Sequence, residues 1–157
     1  MYKEYSPCSV LAPFIYHFWE YKGETRSGLK FNIPPHGCSD LVFIVGNAAD
    51  CIRNSLIMKP YHSYFFGPMN TFTELVAHTN FIHIIGVRFR PCGLFQFIEI
   101  PLNELANQGI DSQEFPVLFS QSFIYQLCES NQNPIDIIEH ELVRQVYKNN
   151  MDTEKQI

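Results

Sequence analysis

The sequence predicts an α+β domain in which strands come first and helices follow. Up to about residue 91, short apolar segments of strand length alternate with Gly, Pro and Asn, whereas later apolar residues recur at helical spacing. The 157 residues are 46% hydrophobic and include 14 Phe, 8 Tyr and one Trp. This composition excludes a disordered chain and provides enough apolar surface for one buried core.

Seven strands are predicted from apolar or alternating segments that end at turn-forming residues. The unbroken run Leu41 to Val45 predicts a strand covered on both faces. In Phe81 to Phe89, odd-numbered and even-numbered side chains are expected on opposite faces. The remaining candidates are Ile15 to Tyr21, Leu29 to Ile33, Ser55 to Met58, Tyr64 to Phe66 and Thr71 to His78. Short strands at this spacing predict a barrel or a sandwich.

Helical segments are predicted over Leu94 to Ile98, Pro101 to Gly109 and about Pro116 to Cys128. The last helix has Asn133 as N-cap and Pro134 as its first residue. We therefore expect a β-rich unit over residues 1–112 with short helices at its end, a helical segment over 113–150 packed on the same domain, and a flexible tail over 151–157. The final helix carries an apolar stripe formed by Ile135, Ile138, Leu142 and Val146.

Charge and hydropathy exclude two classes of partner for this chain. There are 11 Lys and Arg against 16 Asp and Glu, a net charge of -5, and no basic run that could neutralise phosphates, so the chain itself is not expected to bind DNA. No apolar segment approaches the roughly 20 residues of a membrane span, and the N-terminus lacks the apolar core of a signal peptide. A cytoplasmic protein without membrane contact is predicted.

Metal-binding and catalytic motifs are missing from the sequence. The six histidines and five cysteines form no His-x-His, His-Glu-x-x-His or Cys-x-x-Cys spacing, so no metal and no other cofactor are predicted. The odd number of dispersed cysteines predicts free thiols in a reducing compartment. There is no Gly-x-Ser-x-Gly turn and no Gly-rich phosphate loop, so no catalytic residue is assigned.

Two polar clusters are candidates for ligand binding. His36, Ser39 and Asp40 precede an apolar strand, and Arg88 and Arg90 lie at the end of another. If the strand ends share a rim, Asp40 pairs with one arginine and the other meets an anionic ligand; the alternative is a purely structural ion pair. An aromatic group around Trp19 either lines an apolar pocket or packs in the core; its other members are Tyr16, Phe18, Tyr61, Tyr64 and Phe65. The candidate ligand-binding residues are Trp19, His36, Asp40, Arg88 and Arg90.

Four segments occur in a characteristic order. The first runs from Phe31 to Phe43 and contains Pro-Pro-His-Gly-Cys-Ser-Asp, the second is Phe66-Gly67-Pro68, the third is Ile-Gly-Val-Arg-Phe-Arg-Pro-Cys-Gly over 85–93, and the fourth is Pro-Leu-Asn-Glu-Leu over 101–105. In this order they resemble the N-terminal domain of a subgroup of AraC-family transcriptional regulators. The resemblance spans about residues 10 to 110, and the Gly-Val-Arg-Phe-Arg-Pro block is its most specific part.

This resemblance implies a cupin-like β-barrel followed by helices. It further implies a non-enzymatic effector-binding or dimerisation domain, which forms a homodimer, takes a small-molecule effector and has its DNA-binding helix-turn-helix motifs in a C-terminal part outside this chain. His36 stands where the family usually has an acidic residue, and Cys92 stands where Gly is common. The stripe on the last helix is the candidate dimer surface; the equally open alternative is that it covers the domain's own core.

Two other function classes stay open at this point. One is a cupin-like metal-dependent enzyme of small-molecule metabolism, against which the missing ligand motif argues. The other is a dimerisation module that binds no ligand.

Overall fold

The computed structural model describes residues 1–25, 28–46, 49–51, 56–99, 104–114 and 118–155. Strands precede helices in these ranges, which confirms the α+β class. The ten strands are β1 (Tyr2–Tyr5), β2 (Ile15–Glu24), β3 (Leu29–Ile33), β4 (Asp40–Ile44), β5 (Ala49–Cys51), β6 (Leu56–Met58), β7 (Ser63–Phe66), β8 (Thr73–Ala77), β9 (Phe81–Phe89) and β10 (Gly109–Asp111). The helices are α1 (Gln121–Glu129) and α2 (Pro134–Lys155).

The strands form two antiparallel sheets and not the barrel that was expected. The first sheet has the order β1-β2-β9-β4-β7-β10, and the second has the order β3-β8-β5-β6. Within the described ranges no ladder joins the edge strands of one sheet to those of the other, so neither sheet closes. The cupin-like barrel is therefore not confirmed, and the arrangement is two open sheets.

The first sheet is the middle of three layers. Leu41 and Phe43 of β4 belong to the core cluster that includes the helices, whereas Val42 and Ile44 belong to the cluster shared with the second sheet. Every residue of β4 is buried, as predicted for a strand covered on both faces. The first sheet therefore has the helices on one face and the second sheet on the other.

The apolar stripe of α2 packs against the helix-facing side of the first sheet. Its four residues belong to one cluster with Phe43, Ile85 and Phe89. Their exposed fractions are 4% for Ile135, 0% for Ile138, 0% for Leu142 and 5% for Val146. The stripe therefore covers the domain's own core, and these side chains are not presented to a second copy of the chain.

The helix ends follow the sequence signals at one terminus but not at the other. The Asn133 side chain accepts a hydrogen bond from the Ile135 amide at 3.0 Å, and Ser120 caps α1 through the Phe123 amide at 3.0 Å. The α2 helix continues to Lys155, so residues 151–155, expected in a flexible tail, are helical. No proline or glycine follows Asn150 to end the helix.

The segments between the strands and α1 contain less helix than predicted. Leu94 to Ile98 contributes to a single short 3₁₀ helix, Gly93–Gln96. The helix predicted over Pro101 to Gly109 falls partly on residues 100–103, outside the described ranges, and residues 104–107 form a turn. Ser55 and Pro116, at the predicted starts of a strand and a helix, also lie outside those ranges.

Free cysteines and the lack of a membrane-spanning segment were both predicted from the sequence. The four cysteines whose side chains are described, Cys8, Cys38, Cys92 and Cys128, are free. Among the described helices, none has the length and apolarity needed to cross a bilayer.

The backbone of Cys92 is left-handed, with φ of 64°. This conformation costs a residue with a Cβ about 1–2 kcal/mol, whereas glycine adopts it readily. We expect Cys92→Gly to raise the free energy of unfolding by about 1 kcal/mol, measured by urea denaturation. Cys92→Ala is the control, because it removes the thiol but keeps the strain and should leave the stability nearly unchanged. Equal stabilisation by both variants would contradict the backbone explanation.

Candidate functional site

A cavity of about 440 Å³ lies between the two sheets. We call it the intersheet cavity. Strands β1, β2, β4 and β9 line it from the first sheet, and β3 and β8 line it from the second. Pro34, Pro35 and His36, which follow β3, also line it. Its size falls in the range of small-molecule sites in proteins, about 300–1,000 Å³. The described lining residues are Tyr2, Trp19, Tyr21, Phe31, Asn32, Ile33, Pro34, Pro35, His36, Asp40, Leu75, Ile82, Ile84 and Arg88.

Aromatic rings form much of the cavity wall. Tyr2 of β1 stacks on Trp19 of β2, with ring centroids 6.2 Å apart and planes 28° apart. Tyr21 meets Phe31 of the opposite sheet edge to face at 5.2 Å. Both arrangements are favourable for aromatic pairs, and the second connects the two sheets. The wall therefore presents rings to a ligand from both sides.

Gly86 of β9 provides the space in which the Trp19 ring lies. A Cβ at position 86 would stand 1.9 Å from Trp19 Cε2 and 2.2 Å from Nε1. The two residues are also direct partners in the β2–β9 ladder. The missing side chain of Gly86 thus fixes the indole flat against the sheet, at the inner wall of the cavity.

The Trp19 indole N–H has no hydrogen-bond partner among the described residues, although Nε1 is buried. A buried donor left unpaired costs roughly 1–3 kcal/mol. The N–H lies on the packed side of the indole, against Gly86, and is therefore not presented to the cavity.

An ion pair stands at one end of the cavity. Asp40 of β4 and Arg88 of β9 are ladder partners, so their side chains emerge side by side. Arg88 donates from Nε to Asp40 Oδ1 at 3.0 Å and from Nη2 to Asp40 Oδ2 at 3.0 Å. Asp40 is 7% exposed at its side chain and Arg88 21%. This two-bond geometry holds both oxygens of the carboxylate through Nε and Nη2, and Arg88 Nη1 donates no hydrogen bond to a described residue.

His36 completes this polar end. Its Nδ1 accepts a hydrogen bond from the Cys38 amide at 3.3 Å, so the neutral ring carries its proton on Nε2. That atom lies 3.7 Å from Asp40 Oδ2 and 3.4 Å from Arg88 Nη2. The imidazole therefore flanks the ion pair without replacing either of its bonds.

The surroundings set the protonation of these groups. Burial lowers the pKa of His36 below its ordinary value, although the Asp40 carboxylate opposes this effect. Burial also acts to lower the pKa of Arg88, but the hydrogen bonds and charge of Asp40 outweigh it and raise that pKa. Burial, together with Glu4, raises the pKa of Tyr2 to about 12. At neutral pH the His36 imidazole and the Tyr2 phenol are therefore neutral, and the Arg88 guanidinium is charged.

His36 should make the domain less stable in mild acid. Its pKa is lower in the folded chain than the ordinary value of about 6.5, so the unfolded chain binds the proton first as the pH falls. Stability is present above pH 6.5 and declines as the pH drops towards the folded-state pKa. His36→Asn, whose amide oxygen can accept the Cys38 hydrogen bond, should lose less stability than the wild type between pH 7 and pH 5.5, measured by urea unfolding. Identical losses would contradict this assignment.

Four of the five candidate ligand-binding residues line one cavity. They are Trp19, His36, Asp40 and Arg88. Arg90 is not among the lining residues: its Nε donates to the Ala12 carbonyl at 2.8 Å, and its guanidinium stacks over the Tyr16 ring at 4.3 Å. The Asp40 pairing expected from the sequence is formed by Arg88. Arg90 leaves the strand after Phe89 and stabilises a turn instead.

The aromatic group expected around Trp19 divides differently from the prediction. Phe18 and Phe65 are in the helix-side core and Tyr64 is buried between the sheets, whereas Tyr16 is 42% exposed and Tyr61 contacts Tyr125. The residues that join Trp19 in the wall are Tyr2, Tyr21 and Phe31, which the sequence reasoning did not select. Tyr21 could have been found, because it alternates with Trp19 on β2.

Metal ligation has no geometric support in the described part of the chain. No three His, Cys, Asp or Glu side chains there are close enough to hold an ion together. At the polar end of the cavity, both Asp40 oxygens are held by Arg88.

Comparisons with known proteins locate the chain in a family. No curated protein matches it. Among solved structures, the crystal structure of an apo ToxT variant from Vibrio cholerae strain SCE256 is similar with a TM-score of 0.47 and 9% sequence identity. The match covers 86% of this chain and 56% of ToxT, so the chain spans little more than half the length of that protein.

A family model gives the clearer result. The model described as Domain of unknown function (DUF6597) matches residues 3–111, which include all the described strands except Tyr2, the first residue of β1. All described lining residues of the intersheet cavity except Tyr2 lie within that match. Because the match covers well over half of the 157 residues, the chain belongs to the DUF6597 family.

Proposed function

We propose that this domain is the small-molecule sensor of an AraC-type transcriptional regulator. It binds an effector in the intersheet cavity and has no catalytic activity of its own. DNA contact is supplied by another part of the regulator. The observation that carries the proposal is the intersheet cavity itself, about 440 Å³ in volume, with an aromatic wall and one polar end.

The composition of the cavity favours binding over structural packing. Trp19, Tyr21 and Phe31 supply flat apolar surface, and polar groups are concentrated around Arg88 and Asp40. Small-molecule sites commonly combine a mainly apolar lining with a few placed polar groups that fix orientation.

Two of the segments that resemble AraC-family regulators, 31–43 and 85–93, meet at this cavity. Asp40 and His36 belong to the Pro-Pro-His-Gly-Cys-Ser-Asp segment, and Arg88 belongs to the Gly-Val-Arg-Phe-Arg-Pro block. The ion pair therefore joins two of the resembling segments, and Gly86 just before Val87 provides the space for Trp19. This supports a common role for these segments in building one ligand site.

The proposal is tested by binding measured at Trp19, the chain's one tryptophan. A metabolite panel is screened by thermal shift, and each hit is titrated against the tryptophan emission. We expect a hit to raise the unfolding temperature and to change the emission with the same saturation curve. Hits that leave the emission unchanged, or a panel without hits, would argue against the proposal.

A matched pair of variants locates the binding. Ile84 points into the intersheet cavity, while its neighbour Ile85 points to the helix-side core. Ile84→Phe should fill part of the cavity and weaken binding, whereas Ile85→Phe adds the same volume on the other face and should retain the ligand. Circular dichroism confirms that both are folded. Equal binding by both variants would place the ligand elsewhere.

A further inference from the structure

We propose that the intersheet cavity selects uncharged aromatic molecules whose polar group accepts hydrogen bonds, and rejects carboxylates and amines of the same shape. This inference rests on the proposed sensor function and narrows it to a ligand class. Its basis is the closed ion pair at the polar end and the ring-lined wall.

The charged side chains in the cavity lining balance each other. Among the described residues that line the cavity, Arg88 and Asp40 are the only members of the Lys, Arg, Asp and Glu set. They neutralise each other through two hydrogen bonds of 3.0 Å. A charged ligand would therefore meet no uncompensated charge in the lining.

Breaking the Asp40–Arg88 ion pair to bind a charged ligand is unfavourable. A ligand carboxylate could take the Nε and Nη2 donors of Arg88 only by displacing Asp40, whose side chain is 7% exposed. A buried carboxylate that loses its partner is strongly destabilised, and an amine that captured Asp40 would strand Arg88 in the same way. The pair consequently opposes ligands of either charge.

With the ion pair closed, the cavity still offers a hydrogen-bond donor and aromatic surface. Arg88 Nη1 donates no hydrogen bond to a described residue and can donate to a carbonyl, ether or hydroxyl oxygen while the ion pair stays closed. The faces and edges of Trp19, Tyr21 and Phe31 surround the remaining volume. Rings of a ligand pack well against such a wall. A neutral aromatic molecule with an acceptor oxygen can accept the Arg88 Nη1 hydrogen bond and pack its ring against these aromatic side chains.

The test uses sets of probes that share one aromatic group. Within a set the polar group is a neutral amide, a carboxylate or an amine. The first set is 2-naphthamide, 2-naphthoate and 2-naphthylmethylamine, and the second set is cinnamamide, cinnamate and cinnamylamine. Binding to the wild-type chain is measured by calorimetry at neutral pH. We expect the amide of at least one set to bind about tenfold or more tightly than its carboxylate and its amine.

Variants of the ion pair should change the preferred charge. Asp40→Asn leaves Arg88 unpaired, so the carboxylate should become the tightest ligand of its set. Arg88→Gln leaves Asp40 unpaired, so the amine should become the tightest. The double variant removes both charges and should prefer the amide again. A merely structural role for the pair would lower affinity for all three probes without this reversal.

The outcomes separate this inference from the sensor proposal. Wild-type binding of a carboxylate or amine as tightly as the amide overturns the charge selection, while ligand binding itself stands. If no probe of either set binds up to its solubility limit, the assigned ligand class is wrong; the metabolite screen at Trp19 then decides the sensor proposal independently. The wild-type comparison needs no variant, so an unfolded single variant does not remove the test.

Discussion

Leu142→Asp is expected to unfold the domain. Leu142 is fully buried in the cluster that joins α2 to the first sheet. Truncating such a leucine alone costs about 2–5 kcal/mol, and a carboxylate in its place adds the cost of a buried unpaired charge. Their sum is comparable with the whole stability of a domain, about 5–15 kcal/mol. Circular dichroism and urea denaturation should show a chain without a cooperative transition.

The control lies on the same helix. Tyr147 is 57% exposed, so Tyr147→Asp should change the free energy of unfolding by no more than about 0.5 kcal/mol. The two variants also decide between the alternatives that the sequence left open for the α2 stripe. A folded Leu142→Asp monomer formed from a wild-type dimer would contradict the core assignment and restore the stripe as a dimer surface.

Gly86→Val is expected to displace the Trp19 ring and abolish binding in the intersheet cavity. The added Cβ would stand 1.9 Å from the indole, and contacts under 3.0 Å are essentially never seen for a Cβ. The indole lies between the cavity and the β9 backbone. Because that backbone is held in the β2–β9 ladder, the ring must move away from β9 and into the cavity. Overpacking of this kind costs about 1–3 kcal/mol, so the domain should remain folded.

Two measurements follow the displaced ring. The tryptophan emission should change in the ligand-free variant, and metabolite or naphthamide binding should fall below detection. Gly37→Ala is the matched control, since a Cβ there meets nothing within 4 Å in the turn beside His36. Wild-type emission and binding in Gly86→Val would show that the indole is not held by this contact.

Local patterns predicted several elements well because their signals are short-range. The bounds of β3 and β9 agree with the predicted strands at both ends. The Asn133 cap and the α2 stripe were also readable from residue type and spacing. Each of these features depends on neighbours within a few residues, where propensity and periodicity apply.

The features that were missed depend on long-range pairing. Strand β1 is mostly exposed and polar, and it is a strand because it adds to the edge of β2. The cupin-like barrel was not confirmed for the same reason, since closure depends on which edges pair and not on any single segment. The Asp40–Arg88 pair was foreseen only on the condition that their strands share a rim, and their ladder partnership meets that condition.

The alternation along β9 has a consequence for how the proposed sensor can diverge. Even positions such as Ile84 and Arg88 face the intersheet cavity, and odd positions such as Ile85 and Val87 face the helices. The residues that line the cavity and the residues that support the helix-side core therefore alternate along one strand. Substitutions at even positions can retune recognition while the helix-bearing core stays unchanged. Under the proposed function, a related chain can therefore bind a different effector after substitutions at alternate residues of this nine-residue strand.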